Sequence, residues 1–400
     1  MILKDCLEKI IDNRGRNPKY YDREVYPVID NVMIKNNYHP NINEATRFID
    51  QDTHDNFLRG YLEPNIPIMT LVGGGIGNVS LSIDDKSVIV QNTIGFKTKS
   101  EVLDSVYLYY WFLYKHDELI QFNRGSGQPS IRKTDIENMN IELKNINCQR
   151  KASKILSEID EKIDLNNKIN NNLYEFNNKL FEEKILNNAE KDDWEEYLLS
   201  DISKMINGYS YKGNELVEKS NIGMATIKNF ERTGGFKLDG FKDIVPQKCK
   251  SDHYVKPFEI LVACTDLTQN ADIIGNAIML LNNANYDEII MSMDLVKLIP
   301  ITDIVNNYML YTIVNSKDFK NFALRYKSGT TVLHLNKNCF KEYTIKLPNY
   351  NTIKDLSKVF EGNYKKISQI IDENRKLEQL RDTLLPKLMN GEINLDNIEI

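Results

Sequence analysis

The chain has 400 residues and a formal net charge of −6 at pH 7, with 41% hydrophobic and 27% charged residues. This length exceeds what one hydrophobic core organises and predicts two or more domains. The sequence has no apolar run of about 18 residues, which argues against a membrane-spanning helix, and its charged N-terminus favours a cytoplasmic protein. The five cysteines form no CxxC pair and the five histidines lack metal-ligand spacing, so neither a metal site nor a disulfide framework is expected.

The first part of the chain, residues 1–148, mixes short β-branched and aromatic runs with Gly, Pro and Asn turns. Residues 66–81 read IPIMTLVGGGIGNVSL, which predicts two strands joined by a glycine turn. Residues 87–96 predict a further strand pair. Residues 105–122 are apolar on almost every face and predict a buried helix. Together these elements predict a mixed α/β domain.

Residues 149–190 differ in character, since 149–185 contain neither Gly nor Pro. Apolar residues recur there at spacings of three and four, which predicts an amphipathic helix of about 35 residues suited to a coiled coil. The apolar stripe consists of Ile155, Ile159, Ile169, Leu173, Phe176 and Leu180. Lys162 and Asn166 interrupt this stripe.

The pattern of the first domain restarts at Trp194. The corresponding segments are 2–11 and 198–207, 76–81 and 274–279, 105–119 and 306–319, and 124–133 and 325–336, with Ser126-Gly127 opposite Ser328-Gly329. From Ser153 and Ser357 onward the copies stay in register at an offset of 204 residues, so that Phe176 corresponds to Leu380. Pro386 and Gly391 are expected to close the second helix. The order and offset of these matches predict an internal duplication.

The duplication predicts an α+β fold. Two similar mixed α/β domains are separated by two long helices, which form an antiparallel coiled coil with a pseudo-two-fold internal repeat. The predicted segments are a first domain at 1–148, a central helix at 149–190, a second domain at 191–350 and a C-terminal helix at 351–400. Two-fold symmetric proteins can match two half-sites on DNA, and a duplicated chain can match two different half-sites.

This order of domain, long helix, domain, long helix resembles the specificity subunit of type I restriction–modification systems. The most specific pieces are the ending LRDTLLPKLMNGEI, the turns SGQPSIRK and SGTTVLHL, and the segment SMDLVKL. The resemblance covers essentially the whole chain.

The resemblance implies a non-catalytic DNA-specificity subunit. Each globular domain would be a target recognition domain that reads one half of a bipartite double-stranded DNA site. The coiled coil would set the spacing and dock two methyltransferase (modification) subunits. Those partners would carry the adenine-N6 chemistry with S-adenosylmethionine, so that no cofactor is expected in this chain. Restriction and translocase subunits are further partners where a system has them.

Two catalytic readings compete with this one. The sequence NPKY at 17–20 differs by one residue from the N-P-P-[YF] motif of adenine-N6 methyltransferases, and the glycine run 73–77 could then be a cofactor loop of a permuted, stand-alone enzyme. Lys19 would replace the proline that positions the target amine, and a glycine run between strands is also typical of a tight turn. The segment 182–184 carries a nuclease-like acidic and basic pair, but it lies on the predicted coiled-coil helix. A further alternative is a coiled-coil scaffold that does not bind DNA.

The candidate DNA contacts lie in polar, basic loops that recur in both copies. Such side chains reach phosphates, and Arg, Gln, Ser and Thr also pair with base edges. The loops after the first strand contribute Arg14, Arg16, Lys19 and Tyr20 in copy one, and Tyr209, Tyr211 and Lys212 in copy two. The glycine tips contribute Gln128, Ser130, Arg132 and Lys133, and Lys327, Thr330, Thr331 and His334, and a further loop contributes Lys228 and Arg232. The alternative is that these are ordinary solvated turns.

Overall fold

The computed structural model describes residues 1–15, 17–125, 127–189, 191–232, 234–268 and 270–395 of the chain. The chain folds into two compact units: unit 1 comprises Met1–Leu165 and Arg375–Ile400, and unit 2 comprises Asn166–Asn374. Each unit contains the globular part of one sequence copy and a portion of both long helices. The division into four segments at the predicted boundaries stays a prediction.

The globular part of unit 1 is a small sheet covered by helices. Its strands are β1 Leu7–Ile11, β2 Tyr26–Pro27, β3 Phe48–Ile49, β4 Pro67–Thr70, β5 Val79–Leu81 and β6 Thr93–Thr98. Its helices are α1 Gln51–Phe57, α2 Ser105–Tyr114, α3 His116–Gln121 and α4 Lys133–Glu137. Four strands form an antiparallel sheet in the order β1-β6-β4-β5.

Burial of α2 explains why this sheet is stable. All residues of β4 and β5 are buried, and α2 packs on both strands with Tyr107 to Phe112 all buried. Asp104 caps α2 by accepting from the Tyr107 backbone N–H, and it also accepts from the Ser153 hydroxyl at 2.8 Å. The cap therefore joins α2 to the long helix that follows.

Unit 2 repeats this architecture with additions. Its strands are β7 Glu195–Leu198, β8 Ser203–Asn207, β9 Ile222–Ala225, β10 Lys242–Asp243, β11 Ile260–Ala263, β12 Thr265–Asp266, β13 Ala277–Met279, β14 Glu288–Met291, β15 Leu295–Pro300, β16 Lys327–Ser328, β17 Leu333–Leu335 and β18 Thr344–Leu347. The number α5 belongs to the long helix Ile146–Phe181, which is described below. The shorter helices of unit 2 are α6 Leu199–Ile202, α7 Asn307–Val314, α8 Lys317–Leu324 and α9 Cys339–Glu342.

The central sheets of the two units have the same topology. The unit 2 sheet runs β8-β15-β11-β13 and is antiparallel throughout, which matches β1-β6-β4-β5 strand for strand. In each unit a helix follows the last strand of this sheet in chain order, α2 after β6 and α7 after β15. The Asn306 side chain caps α7 as Asp104 caps α2. The predicted internal repeat and the predicted α+β fold class are confirmed.

The two long helices are α5 Ile146–Phe181, continued by a π-helical turn at Glu182–Leu186, and α10 Tyr350–Asn390. Side-chain contacts between them join Asp160 to Arg381 in unit 1, and Asn166 to Asn374 and Asn177 to Asn363 in unit 2. Residue numbers rise along α5 where they fall along α10. The predicted antiparallel pairing is confirmed within each unit.

The contact between the helices in unit 2 is more polar than the sequence indicated. Asn166 is 1% exposed and donates to Asn374 Oδ1 at 2.7 Å and to Glu373 Oε2 at 2.9 Å. Asn374 in turn donates to Asn167 at 2.9 Å. Asn166 therefore does not interrupt the helix contact but lies at its centre. Phe176, which we predicted to lie in the apolar stripe, is exposed, and so is Leu380 at the equivalent position.

Three local predictions need correction. Residues 87–96 contain the start of one strand rather than a strand pair, because Asn92 turns the chain at a φ of 63° and Val88 makes only an isolated bridge to Val28. The helix predicted at 105–122 is split into α2 and α3. Pro386 lies inside α10 and does not close it, whereas Gly391, with a φ of 80°, directly follows the last helical residue, Asn390, as predicted.

We expect Asn374→Ala to lower the free energy of unfolding by about 1–3 kcal/mol, because the buried Asn166 amide loses a partner. The measurement is urea unfolding followed by circular dichroism. Asn166→Leu combined with Asn374→Leu removes both amides and should restore most of this loss. The control is Asn171→Ala, which changes an exposed asparagine of α5, the partner helix. Equal stabilities of Asn374→Ala and the control would contradict a stabilising polar contact.

Candidate nucleic-acid interface

The tip of unit 1 is a tight loop tied to the central sheet. The Asn123 side chain accepts from the backbone N–H groups of Gly125 at 3.1 Å and Ser130 at 3.0 Å. Gly73 N–H donates to Pro129 O at 2.9 Å, and Ile131 N–H donates to Leu71 O at 2.8 Å. The tip therefore lies against the glycine turn between β4 and β5. This turn position agrees with the tight-turn reading of the glycine run.

The tip of unit 2 is a β-hairpin formed by β16 and β17, in which Ser328 pairs with His334. A Cβ at Gly329, whose φ is 103°, would lie 2.2 Å from Val332 O. A Cβ at Gly125 would lie 1.7 Å from Gln128 O. Both glycines therefore allow the same close approach to the carbonyl three residues later.

This equivalence corrects the sequence alignment at the tips. We matched Ser126-Gly127 to Ser328-Gly329, an offset of 202, and Ser126 lies outside the described residues. The geometry instead matches Gly125 to Gly329, an offset of 204. The constant offset of the long helices thus already begins at the tips. The equivalent pairs are then Gln128 and Val332, Ser130 and His334, Arg132 and Asn336, and Lys133 and Lys337.

Asp12 brings the two predicted loops of unit 1 together. Its carboxylate accepts from the Arg14 guanidinium at 2.9 and 2.8 Å, and Lys133 Nζ lies 4.0 Å away. Burial opposes ionisation of Asp12, but the hydrogen bonds and positive charge of Arg14, with Lys133 adding, hold its pKa below the usual value. Arg14 and Lys133, which come from separate segments of the sequence, therefore share one acidic partner.

Lys337 occupies the place of Lys133 in unit 2. Its Nζ donates to Asn207 Oδ1 at 2.6 Å, and Asn207 is the last residue of β8. Asp12, the partner of Lys133, likewise lies at the end of its strand, directly after β1. The partner in unit 2 is a neutral amide, so the positive charge of Lys337 is not compensated by that contact. Sequence reasoning missed Lys337, and the offset of 204 from Lys133 was the signal that could have identified it.

The loop after β1 presents Lys19 and holds Tyr20 inside. Lys19 is exposed, with its Nζ 4.7 Å from the centre of the Tyr21 ring. Tyr20 is half-buried under the Arg47 guanidinium at 4.4 Å, and its buried hydroxyl has no partner among the described residues. Tyr20 therefore supports the loop rather than extending from it. Arg16 lies outside the described residues.

Two further side chains fix this loop. Asn13, which is 2% exposed, donates to Gly60 O at 2.9 Å and accepts from the Arg59 N–H at 2.8 Å. Asp50 accepts from the Tyr21 hydroxyl at 2.7 Å and caps α1, and hydrogen bonds from Thr53 and Tyr21 lower its pKa to about 2. Neither residue was predicted, because a short polar side chain in a loop gives no periodic signal.

In unit 2 the corresponding loop contains a buried tyrosine. Tyr209 is 4% exposed, and its hydroxyl donates to Glu215 Oε2 at 2.5 Å. The Glu215 pKa is lowered, first by this hydrogen bond and then by backbone N–H donors. Tyr211 is half-buried and Lys212 is exposed. Tyr209 is thus part of the core, whereas Lys212 faces outward.

The further loop predicted at residues 228–237 is closed at its base by polar groups. The fully buried Asn229 side chain donates to Lys237 O at 2.9 Å, and Thr226 donates to Gly240 O at 3.0 Å. Lys228 and Arg232 are exposed on this closed loop. The other predicted residues that face outward are Gln128, Arg132, Lys327, Thr330, Thr331 and His334, and Ser130 is half-buried at the base of its tip.

Comparisons with known proteins agree with this architecture of two similar units, each with an outward-facing basic tip. The family described as the type I restriction modification DNA specificity domain matches residues 3–175 and again 191–381. The chain belongs to this family. The two matches coincide with the two copies of the internal repeat.

Two relatives place the match in context. The chain is 23% identical over 351 residues to the specificity subunit of the type I restriction enzyme MjaVIII from Methanocaldococcus jannaschii, which covers 82% of this chain and 78% of that protein. The fold resembles the crystal structure of a type I restriction–modification S subunit from M. genitalium, with a TM-score of 0.56 and 16% identity over 97% of this chain and 95% of that chain.

The family assignment decides between the main readings of the sequence. The chain is a type I restriction–modification specificity subunit, which confirms the predicted non-catalytic role and favours it over the stand-alone methyltransferase. In the described part of the chain no helix is long and apolar enough to cross a membrane. Within the same residues no cluster of His, Cys, Asp and Glu is arranged to hold a metal ion. The cytoplasmic location stays a prediction.

We expect Gly125→Ala to open the tip of unit 1, because the new Cβ would overlap Gln128 O. Gly127→Ala is the matched control, since nothing lies within 4 Å of its Cβ position. Hydrogen exchange should show the Ser130 and Ile131 amides exchanging at least about tenfold faster in Gly125→Ala, equivalent to about 1.4 kcal/mol of local stability. Equal exchange in the two variants would contradict the close approach.

Proposed function

We propose that unit 1 and unit 2 each read one half of a bipartite DNA site and that the α5–α10 pair sets the spacing between the halves. The observation that carries this proposal is the pair of tips. In both tips a glycine lies close to the carbonyl of the residue three positions later, but the side chains that the tips present differ. A scaffold that does not bind DNA has no need of a repeated turn with varied, polar, outward-facing residues.

The varied positions provide the chemistry for base recognition. In unit 1, Gln128 suits adenine and Arg132 suits guanine, each through a bidentate contact in the major groove. In unit 2, Val332 and Asn336 take the equivalent positions, and the neighbouring Thr331 and His334 offer smaller or differently placed donors. Different groups on the same turn support recognition of two different half-sites.

The constant positions provide contacts to phosphate. Lys133 and Lys337 stand at the same place at the base of each tip, and contacts to phosphates position a protein on DNA without reading its sequence. Arg14 in unit 1, and Lys228 and Arg232 in unit 2, extend the basic surface of each unit. Because the whole chain is acidic, we expect its partners to supply most of the remaining phosphate contacts.

The partners that we propose are two methyltransferase (modification) subunits, which would dock on the long helices and bind S-adenosylmethionine. The chain itself would bind no cofactor.

Phe176 and Leu380 support docking of two subunits on the long helices. They occupy equivalent positions of the repeat, one in each unit, and are 50% and 47% exposed. Equivalent apolar side chains on two helices offer two equivalent docking points. Restriction and translocase subunits would join the same complex where the system has them.

We expect Lys133→Gln and Lys337→Gln each to weaken DNA binding by the assembled complex regardless of sequence. The slope of log affinity against log salt concentration should become shallower by about 0.9 for each phosphate that the variant no longer neutralises. The measurement is a titration of labelled DNA at several salt concentrations. Lys168→Gln on the exposed face of α5 is the control. Slopes equal to that of the control would contradict phosphate contacts at the tips and favour a scaffold without DNA binding.

We expect Phe176→Ser and Leu380→Ser each to reduce the number of methyltransferase subunits bound from two to one. The physical reason is that each variant removes an apolar side chain from one docking point only. Native mass spectrometry of the complex counts the subunits directly. Val359→Ser, at another exposed apolar residue of α10, is the control. Two subunits bound by both variants, at the affinity of the control, would contradict docking at these positions.

A further inference from the structure

A polar triad in unit 1 joins the globular part to both long helices. Asp160 of α5 is 2% exposed. Its Oδ1 accepts from Arg381 Nη1 of α10 at 2.8 Å, and its Oδ2 accepts from the Tyr110 hydroxyl of α2 at 2.7 Å. Three elements therefore meet at one buried carboxylate.

This carboxylate depends on its cation. Burial raises the pKa of Asp160, although the charge and hydrogen bond of Arg381 and the hydrogen bond from Tyr110 oppose that effect. The Arg381 side chain is itself mostly covered, and its pKa is raised by the nearby carboxylates against the effect of burial. A buried charge that loses its partner is strongly destabilising, whereas the intact pair contributes little net stability. The pair is thus better suited to selecting a partner than to adding stability.

Unit 2 has a neutral triad at the equivalent positions. The offset of 204 relates Asp160 to Tyr364 and Asn177 to Arg381, and the shared helix cap, Asp104 and Asn306, relates Tyr110 to Thr312. The residues again lie together. The Tyr364 hydroxyl is 3.3 Å from Thr312 Oγ1, and the fully buried Asn177 side chain lies close to Tyr364 and accepts from Asn363 at 2.6 Å.

The difference between the triads has a consequence for helix pairing. If α5 paired with α5 of a second chain in the same register, Asp160 would face Asn177 and would be buried without a cation. If α10 paired with a second α10, Arg381 would face Tyr364 and would keep only Asp382, its exposed neighbour on the same helix, as an acidic partner. Only α5 with α10 brings the acid and the base together. Pairing of α5 with α5 would leave the buried Asp160 without a cation, and pairing of α10 with α10 would leave Arg381 without its buried carboxylate.

We propose that Asp160 and Arg381 make α5 select α10 and reject a second copy of itself. The pair is a positioning element: it ensures that each helix pair consists of one α5 and one α10. Apolar contacts alone would not give this selection, because the repeat places apolar residues at equivalent positions of both helices. A buried polar group that specifies the helix partner at some expense of stability is known from coiled coils.

The test is a competition in the full-length protein after it has folded. A protease recognition sequence inserted between Asp192 and Asp193, which are both exposed, allows the folded chain to be cleaved into two fragments. After incubation, native mass spectrometry counts mixed pairs and like pairs of fragments. Asp160→Asn combined with Arg381→Gln removes both charges and leaves a polar side chain at each position. Arg381→Lys keeps the positive charge and is the matched control.

The wild type and Arg381→Lys should remain as mixed pairs. The neutral double variant should lose at least about fivefold in the ratio of mixed to like pairs, because its like pairings no longer bury an unpaired charge. Circular dichroism of the uncleaved variants confirms that each is folded. If the double variant is not folded, Asp160→Asn with Arg381→Met provides a second neutral pair. A ratio in the neutral variants equal to that of the wild type would overturn the proposal. This result does not depend on DNA binding.

Discussion

The antiparallel pairing of α5 with α10 is the constraint on which the rest of the structure depends. Each unit takes one stretch of its helix pair from each long helix, so neither unit is complete until residues about 200 positions apart have met. The contact is polar as much as apolar, with Asn166 bonded to Asn374 in unit 2 and Asp160 bonded to Arg381 in unit 1. Polar contacts of this kind fix which residues meet, because a shifted register leaves buried groups without partners.

The two units have similar structural elements supporting their tips, but the side chains at the surface of the tips differ. The sheet order, the helix cap and the close approach at Gly125 and Gly329 recur in both units. The outward-facing residues are free to vary, because they do not contribute to the core. This division between a fixed support and variable loops is typical of proteins in which recognition resides in loops.

The sequence alone was sufficient for the duplication, the fold class and the long helices, because order and spacing survive where individual residues diverge. It failed where a contact depended on the partner helix. Asn166 looked like an interruption and Phe176 like part of the apolar stripe, since periodicity in one helix does not show which face meets the other. The site was predicted less completely. Tyr209 proved to be buried, and Lys337 was missed because the tip alignment was shifted by two residues.

The central claim is that one chain holds two separate readers of DNA. The most direct measurement is methylome sequencing of cells that express the complex after residues 1–145, which end just before α5, have been replaced by the equivalent segment of another family member of known specificity. The account predicts that one half of the methylated motif changes to that of the donor, while the other half and the spacer length stay the same. An unchanged motif, or a change in both halves, would contradict it.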